Sequence, residues 1–224
     1  MNGRLVLSLF FTLFFISVGA QKNVTYASSK DSDPKARQIL KAVSEKIKTG
    51  KGVTFGFSFV TQAAESAPVI QKGKAMILGN KFVLDFPEQQ LTSDGTTLWV
   101  YLKKRNEVQI QDAAGLAEDP ISPYKLLKIH EAPELVYILA GESRVNGAVC
   151  DVVEFKPLNY DVEYFKIKAE IDRAQSQYRS ITLYLKSGDS YVLNISSQAN
   201  TPFADSLFAF DLKKYPGIRV EDLR

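Results

Sequence analysis

Residues 73–111, GKAMILGNKFVLDFPEQQLTSDGTTLWVYLKKRNEVQIQ, constrain the fold more than any other stretch of this chain. Large apolar side chains fall on alternate positions, the period of a strand with one buried face. Gly79-Asn80 and Asp94-Gly95 interrupt them, and both dipeptides supply the positive φ that tight hairpins need. The stretch therefore reads as a meander of short strands whose apolar face must be covered. It carries no catalytic constellation, so the face itself becomes the candidate working surface.

The same alternation recurs. Phe55, Phe57 and Phe59 share one face, as do Phe82, Leu84 and Phe86. A second β region is expected from Gly141, opened by the hairpin signal Arg144-Val145-Asn146-Gly147-Ala148-Val149 and continued at residues 149–155, 164–171, 178–185 and 191–196, with residues 207–210 as a last strand. Helices frame these runs. Asp33-Pro34 is a cap followed by a first-turn proline, Ala36, Ile39, Leu40, Val43 and Ile47 form one stripe, and Gly50 is a stop. Ser122-Pro123 opens one or two further short helices over residues 122–129 and 132–139. About ten strands at hairpin spacing imply one antiparallel sheet, curled or sandwiched.

The first twenty residues differ in kind. Arg4 precedes an apolar run to Val18, and Val18-Gly19-Ala20 fits a small-residue cleavage site, so residues 1–20 read as a secretory signal peptide. Residues 21–32 are polar and small, a flexible leader, and residues 33–224 form one domain without an internal linker. The net charge of +3 is small and no basic block stands out, which argues against nucleic acid as a partner. Lys103-Lys104-Arg105 sits where a hairpin turn belongs and reads as a solvated tip.

Chemistry is sparse. The single histidine, His130, follows a short helix, and the single cysteine, Cys150, lies in an apolar run. Together they cannot furnish a zinc site. The acidic loop with Asp112, Glu118 and Asp119 lacks the ligand spacing of a calcium loop. Glu131 and Glu134 read as helix-surface charge. Asn23 and Asn194 begin glycosylation-type tripeptides. No cofactor is expected and no enzyme, since no nucleophile, base and orienting group assemble. Fourteen Phe, ten Tyr and one Trp remain. They either fill an ordinary β-sandwich core or line an open, concave sheet that binds an apolar ligand.

Ser93-Asp94-Gly95-Thr96-Thr97-Leu98-Trp99-Val100-Tyr101 resembles a motif of LolA, the periplasmic carrier of outer-membrane lipoproteins. Gly73-Lys74-Ala75, Asn80-Lys81-Phe82, Asn106-Glu107-Val108-Gln109-Ile110, Ser122-Pro123-Tyr124-Lys125-Leu126-Leu127, Phe208-Ala209-Phe210 and the ending from Pro216 to Arg224 extend the likeness in order. The Ser122-Pro123-x-Lys125-Leu126 lid and the Lys214-Tyr215-Pro216-Gly217 ending look most like versions from Bacteroidetes-type bacteria. The resemblance implies a mainly β (α+β) fold, a single unclosed antiparallel β-barrel of about ten or eleven strands with a helical lid and an N-terminal helix. It implies a monomeric periplasmic chaperone that takes triacylated lipoproteins from an inner-membrane ABC lipoprotein-release complex and delivers them to the outer membrane or a receptor there. One departure stands out: Leu78-Gly79-Asn80 occupies the place where the family's lid-latching Arg precedes Pro-Asn, so the latch must differ.

On this reading the acyl chains meet Phe55, Phe57, Phe59, Phe82, Leu84, Phe86, Trp99 and Tyr101 on the sheet and Leu126, Leu127, Ile129 and Tyr137 on the lid. A one-residue slip reverses every side chain of a strand, so the phase of Trp99 and Phe82 is the open point. The alternative function is a periplasmic lipid-binding sensor or scaffold of the same fold. A lipid or glycan hydrolase is the third, opposed by the missing catalytic set.

Overall fold

A computed structural model describes residues 28–47, 52–63, 66–114 and 123–224. The signal segment, Asn23, Gly50, Glu118, Asp119 and Ser122 lie outside them. Helix α1 spans Pro34–Ile47. Its start follows from the sequence: Asp33 Oδ1 accepts hydrogen bonds from Lys35 N at 2.7 Å and Ala36 N at 3.4 Å, and Pro34 has no amide proton to satisfy. These amides hold the Asp33 carboxyl below the usual range. Ala36, Leu40 and Val43 are buried, with Ile39 and Ile47 packed beside them.

Twelve strands form one sheet: β1 Val53–Gln62, β2 Val69–Leu78, β3 Lys81–Asp85, β4 Gln89–Ser93, β5 Thr97–Leu102, β6 Glu107–Asp112, β7 Leu135–Val145, β8 Ala148–Pro157, β9 Tyr164–Asp172, β10 Gln177–Leu185, β11 Ser190–Asn200 and β12 Arg219–Asp222. The order is β12-β6-β5-β4-β3-β2-β1-β11-β10-β9-β8-β7. Two antiparallel meanders, β1–β6 and β7–β11, are thus joined through β1 and β11, and β12 adds in parallel outside β6. The sheet ends at β12 and β7 without those strands pairing, so the barrel is unclosed.

Cross-strand rows fix which face is inner. Val100, Leu91, Leu84, Ala75 and Phe55 face one another in turn across β5, β4, β3, β2 and β1. Phe59, Leu193, Ile181, Ala169, Val153 and Leu139 do the same across β1, β11, β10, β9, β8 and β7. All of these belong to or pack against one core that also takes in α1 and the segment between β6 and β7. That segment carries helix α2, Pro123–Leu127, and a 3₁₀ turn, Ile129–Glu131.

Two elements depart from the sequence reading. Residues 135–139, expected in a helix, begin β7. Pro133 ends the preceding turn, and Leu135, Tyr137 and Leu139 satisfy alternation as well as helical spacing, so pairing with β8 decides the outcome. Residues 207–210 are not a strand. Asp205–Phe208 is a 3₁₀ turn laid on the outside of β3, where Phe208 is fully buried edge-on to Phe203, and the last strand is β12.

Candidate binding cavity

The inner face is packed over most of its area. Phe55, Phe57, Phe59, Phe82, Leu84 and Phe86 all lie on it and are all buried. Phe57 meets Phe86 edge-on at 5.5 Å and Phe59 stacks on Tyr191 at 5.7 Å. Trp99 and Tyr101 do not join them. Leu98 and Val100 take the inner positions of β5, so alternation turns Trp99 and Tyr101 outward. There Tyr101 lies 4.6 Å from the Tyr215 ring and 5.5 Å from Phe210, and its hydroxyl donates to Asn106 Oδ1 at 3.1 Å. Asn106 Nδ2 in turn donates to Pro216 O. Tyr101 therefore anchors the C-terminal segment to the outer face instead of lining a cavity. Tyr137 belongs to β7 and not to the lid, its ring 5.5 Å from Phe155.

A cavity of about 700 Å³ opens on the inner side. It fills the seam between the two ends of the sheet. Phe82 and Ser93 of β3 and β4 and the end of β6 at Asp112 form one wall, Leu135 of β7 and Tyr164 and Ile167 of β9 the other, and Leu126, Ile129, Ala132 and Pro133 the roof. Of the sequence-predicted residues, only Phe82, Leu126 and Ile129 line it. Leu127 is buried in the core beside it. The far wall escaped the sequence analysis. Tyr164 and Ile167 carry an apolar signal, but nothing local says that β9 faces β4 across a gap.

Charged groups ring the mouth: Lys125, Lys128, Glu131, Glu134 and Asp112. A second space of about 300 Å³, bounded by Ile47, Val53 and Ile77, lies on the other side of the 3₁₀ turn, and Lys128 and Glu131 line both. The lid is thus a partition. Leu126, Leu127 and Ile129 insert apolar side chains, and Lys128 Nζ donates to Gly79 O at 3.2 Å and pairs with Glu131 at 3.0 Å. The His130 side chain is 1% exposed, its Nε2 lies 3.6 Å from Glu131 Oε1, and its Nδ1 is 3.3 Å from the Tyr178 hydroxyl on β10. Burial pushes the Tyr178 phenol far above its ordinary value, so it stays a neutral hydrogen-bonding group.

Among the described residues, reactive chemistry does not converge on the cavity. The Cys150 thiol is buried in β8, and burial raises it, which disfavours the thiolate. Among the described residues no three His, Cys, Asp or Glu side chains converge as metal ligands, and no helix is long and apolar enough to cross a membrane.

No family profile matches the chain, and no curated protein matches it in sequence. Solved structures do. An uncharacterised conserved protein from Thermus thermophilus superposes with a TM-score of 0.56 at 11% identity, over 84% of this chain and 99% of that one. The two share a fold. The chain is also similar to a LolA superfamily protein from Nitrosomonas europaea, with a TM-score of 0.45, 15% identity and coverage of 79% and 98%. The lipoprotein LppX of Mycobacterium tuberculosis gives 0.48, 13%, 77% and 99%.

Proposed function

We propose that this chain is a periplasmic carrier that shelters lipoprotein acyl chains in the seam cavity, receiving them from an inner-membrane ABC release complex and handing them to the outer membrane or a receptor there. The observation that carries the reading is an apolar-walled cavity beneath a short helical lid, with no cluster of metal-ligating side chains converging on it among the described residues. The LolA-like motifs and the unclosed barrel support it.

The magnitudes are workable. Burying about 16 methylenes at about 0.8 kcal/mol each gains on the order of 10 kcal/mol. Release then needs a competing ligand-free state, in which Leu126, Leu127 and Ile129 stay buried against the sheet without the chain. A methylene takes about as much room as a water molecule, roughly 30 Å³. The cavity of about 700 Å³ therefore suits one such chain and not three. A triacylated cargo requires the lid to move and the two spaces to merge.

The test is purification of the native protein followed by mass spectrometry of what co-elutes. Triacylated proteins are expected; free phospholipid alone would favour a lipid-binding sensor or scaffold. In parallel, Leu126→Glu places a charge at the roof and should cut uptake of an environment-sensitive acyl probe at least tenfold. Unchanged uptake would remove the lid from the mechanism.

A further inference from the structure

The β1–β2 hairpin carries a feature that the carrier reading does not use. β1 pairs with β2 from Thr61–Val69 onward, but β3 pairs with β2 only from Lys74. The hairpin therefore projects past its β3 neighbour. Its outer end exposes four consecutive apolar residues, Ala67, Pro68, Val69 and Ile70, with Val69 59% and Ile70 62% exposed. Such a run is an error in a soluble surface unless it binds something. Lys72 and Lys74 follow on the same strand, and Arg105 faces Ile70 and Lys72 across a notch. Nearby Lys103 and Lys104 pair with Asp85 and Glu88, whereas Lys72, Lys74 and Arg105 form no ion pair among the described residues. Five cations thus stand against two carboxylates among the described residues.

We propose that this tip docks on the interface of an anionic phospholipid bilayer, Val69 and Ile70 entering the headgroup region while Lys72, Lys74 and Arg105 meet lipid phosphates. Strand alternation puts Val69 and Ile70 on opposite faces of the hairpin. A groove on a protein partner would cover one of them; a bilayer interface surrounds both. Apolar insertion combined with cations drawn to anionic lipid is the usual basis of such binding. Lysines on a strand edge also discourage edge-to-edge pairing, but that role would leave no reason to expose Val69 and Ile70 beside them.

The experiment is co-sedimentation of the full chain with phosphatidylcholine vesicles, with and without phosphatidylglycerol. Binding is expected only with phosphatidylglycerol and should weaken as salt rises. Lys72→Gln with Arg105→Gln should lower partitioning roughly 25-fold, about fivefold per charge. Val69→Ser with Ile70→Ser should lower it about tenfold. Both double variants alter exposed positions and should keep the parent urea midpoint and acyl-probe uptake, so failure here and failure of the carrier reading are separate results. The proposal is overturned by absence of binding to phosphatidylglycerol vesicles, or by binding that neither variant changes. A lipid-free dimer that Val69→Ser with Ile70→Ser dissociates would also overturn it, since the tip would then cover a second copy.

Discussion

Gly73 lies opposite Phe57 in the β1–β2 ladder, and a Cβ there would meet Phe57 Cζ at 2.7 Å and Asp85 O at 3.0 Å. The inner face is that full away from the seam. Gly73→Ala should cost about 1–3 kcal/mol through overpacking, read as a lower urea midpoint. Adding Phe57→Leu should recover part of the loss, because the two sites share one clash. An unshifted midpoint would mean that the face yields more easily than its packing suggests. At this scale the sequence was legible where apolar and polar residues alternate, as in Phe55-Gly56-Phe57-Ser58-Phe59. It was not legible in β5, where Leu98, Trp99, Val100 and Tyr101 are apolar on both faces. Ring size drew attention to Trp99 and Tyr101, while register gave the inner face to their smaller neighbours.

The turn between β9 and β10 shows what one carboxylate can hold in an element. Asp172 Oδ1 accepts from Ala174 N and Gln175 N, both at 2.9 Å, and Oδ2 accepts from Arg179 Nε at 3.0 Å and Nη2 at 2.6 Å. Burial alone would raise this carboxyl, but Arg179 and the two amides outweigh it and hold it below its ordinary value. A folded-state value below the unfolded one, about 3.9, means that the stabilisation is fully present above about pH 5 and is lost as pH falls through the folded value. Asp172→Asn should cost about 3 kcal/mol at neutral pH by leaving Arg179 without its partner. Its urea midpoint should also fall less steeply than that of the parent between about pH 5 and pH 3; parallel profiles would assign the acid sensitivity elsewhere. Elements with such local codes were readable in the sequence: the Asp33-Pro34 cap, and the Asn146-Gly147 turn, whose φ values are 49° and 84°. β7 and the C-terminal segment were not, because their form is set by partners far away, β8 for the one and the outer faces of β3 and β5 for the other.

Across the whole molecule the seam is the property that no local pattern reveals. It exists because β7 and β12 end the sheet without meeting, and α2 with the 3₁₀ turn after it covers the gap. On the carrier reading, cargo size sets the order of events. On the carrier reading a single acyl chain fits the space of about 700 Å³ without lid movement, so its uptake should rise linearly with probe concentration and ignore the His130–Tyr178 contact. A triacylated lipopeptide must wait for the lid, so its observed rate should level off at the opening rate. Tyr178→Phe removes the hydroxyl that meets His130 Nδ1, a contact worth about 1 kcal/mol. It should raise that plateau about fivefold and leave single-chain uptake unchanged. Stopped-flow fluorescence with the two probes separates the cases. If Tyr178→Phe moves both rates together, the lid gates every ligand alike; if it moves neither, the His130–Tyr178 contact is packing within the core and the lid is held elsewhere.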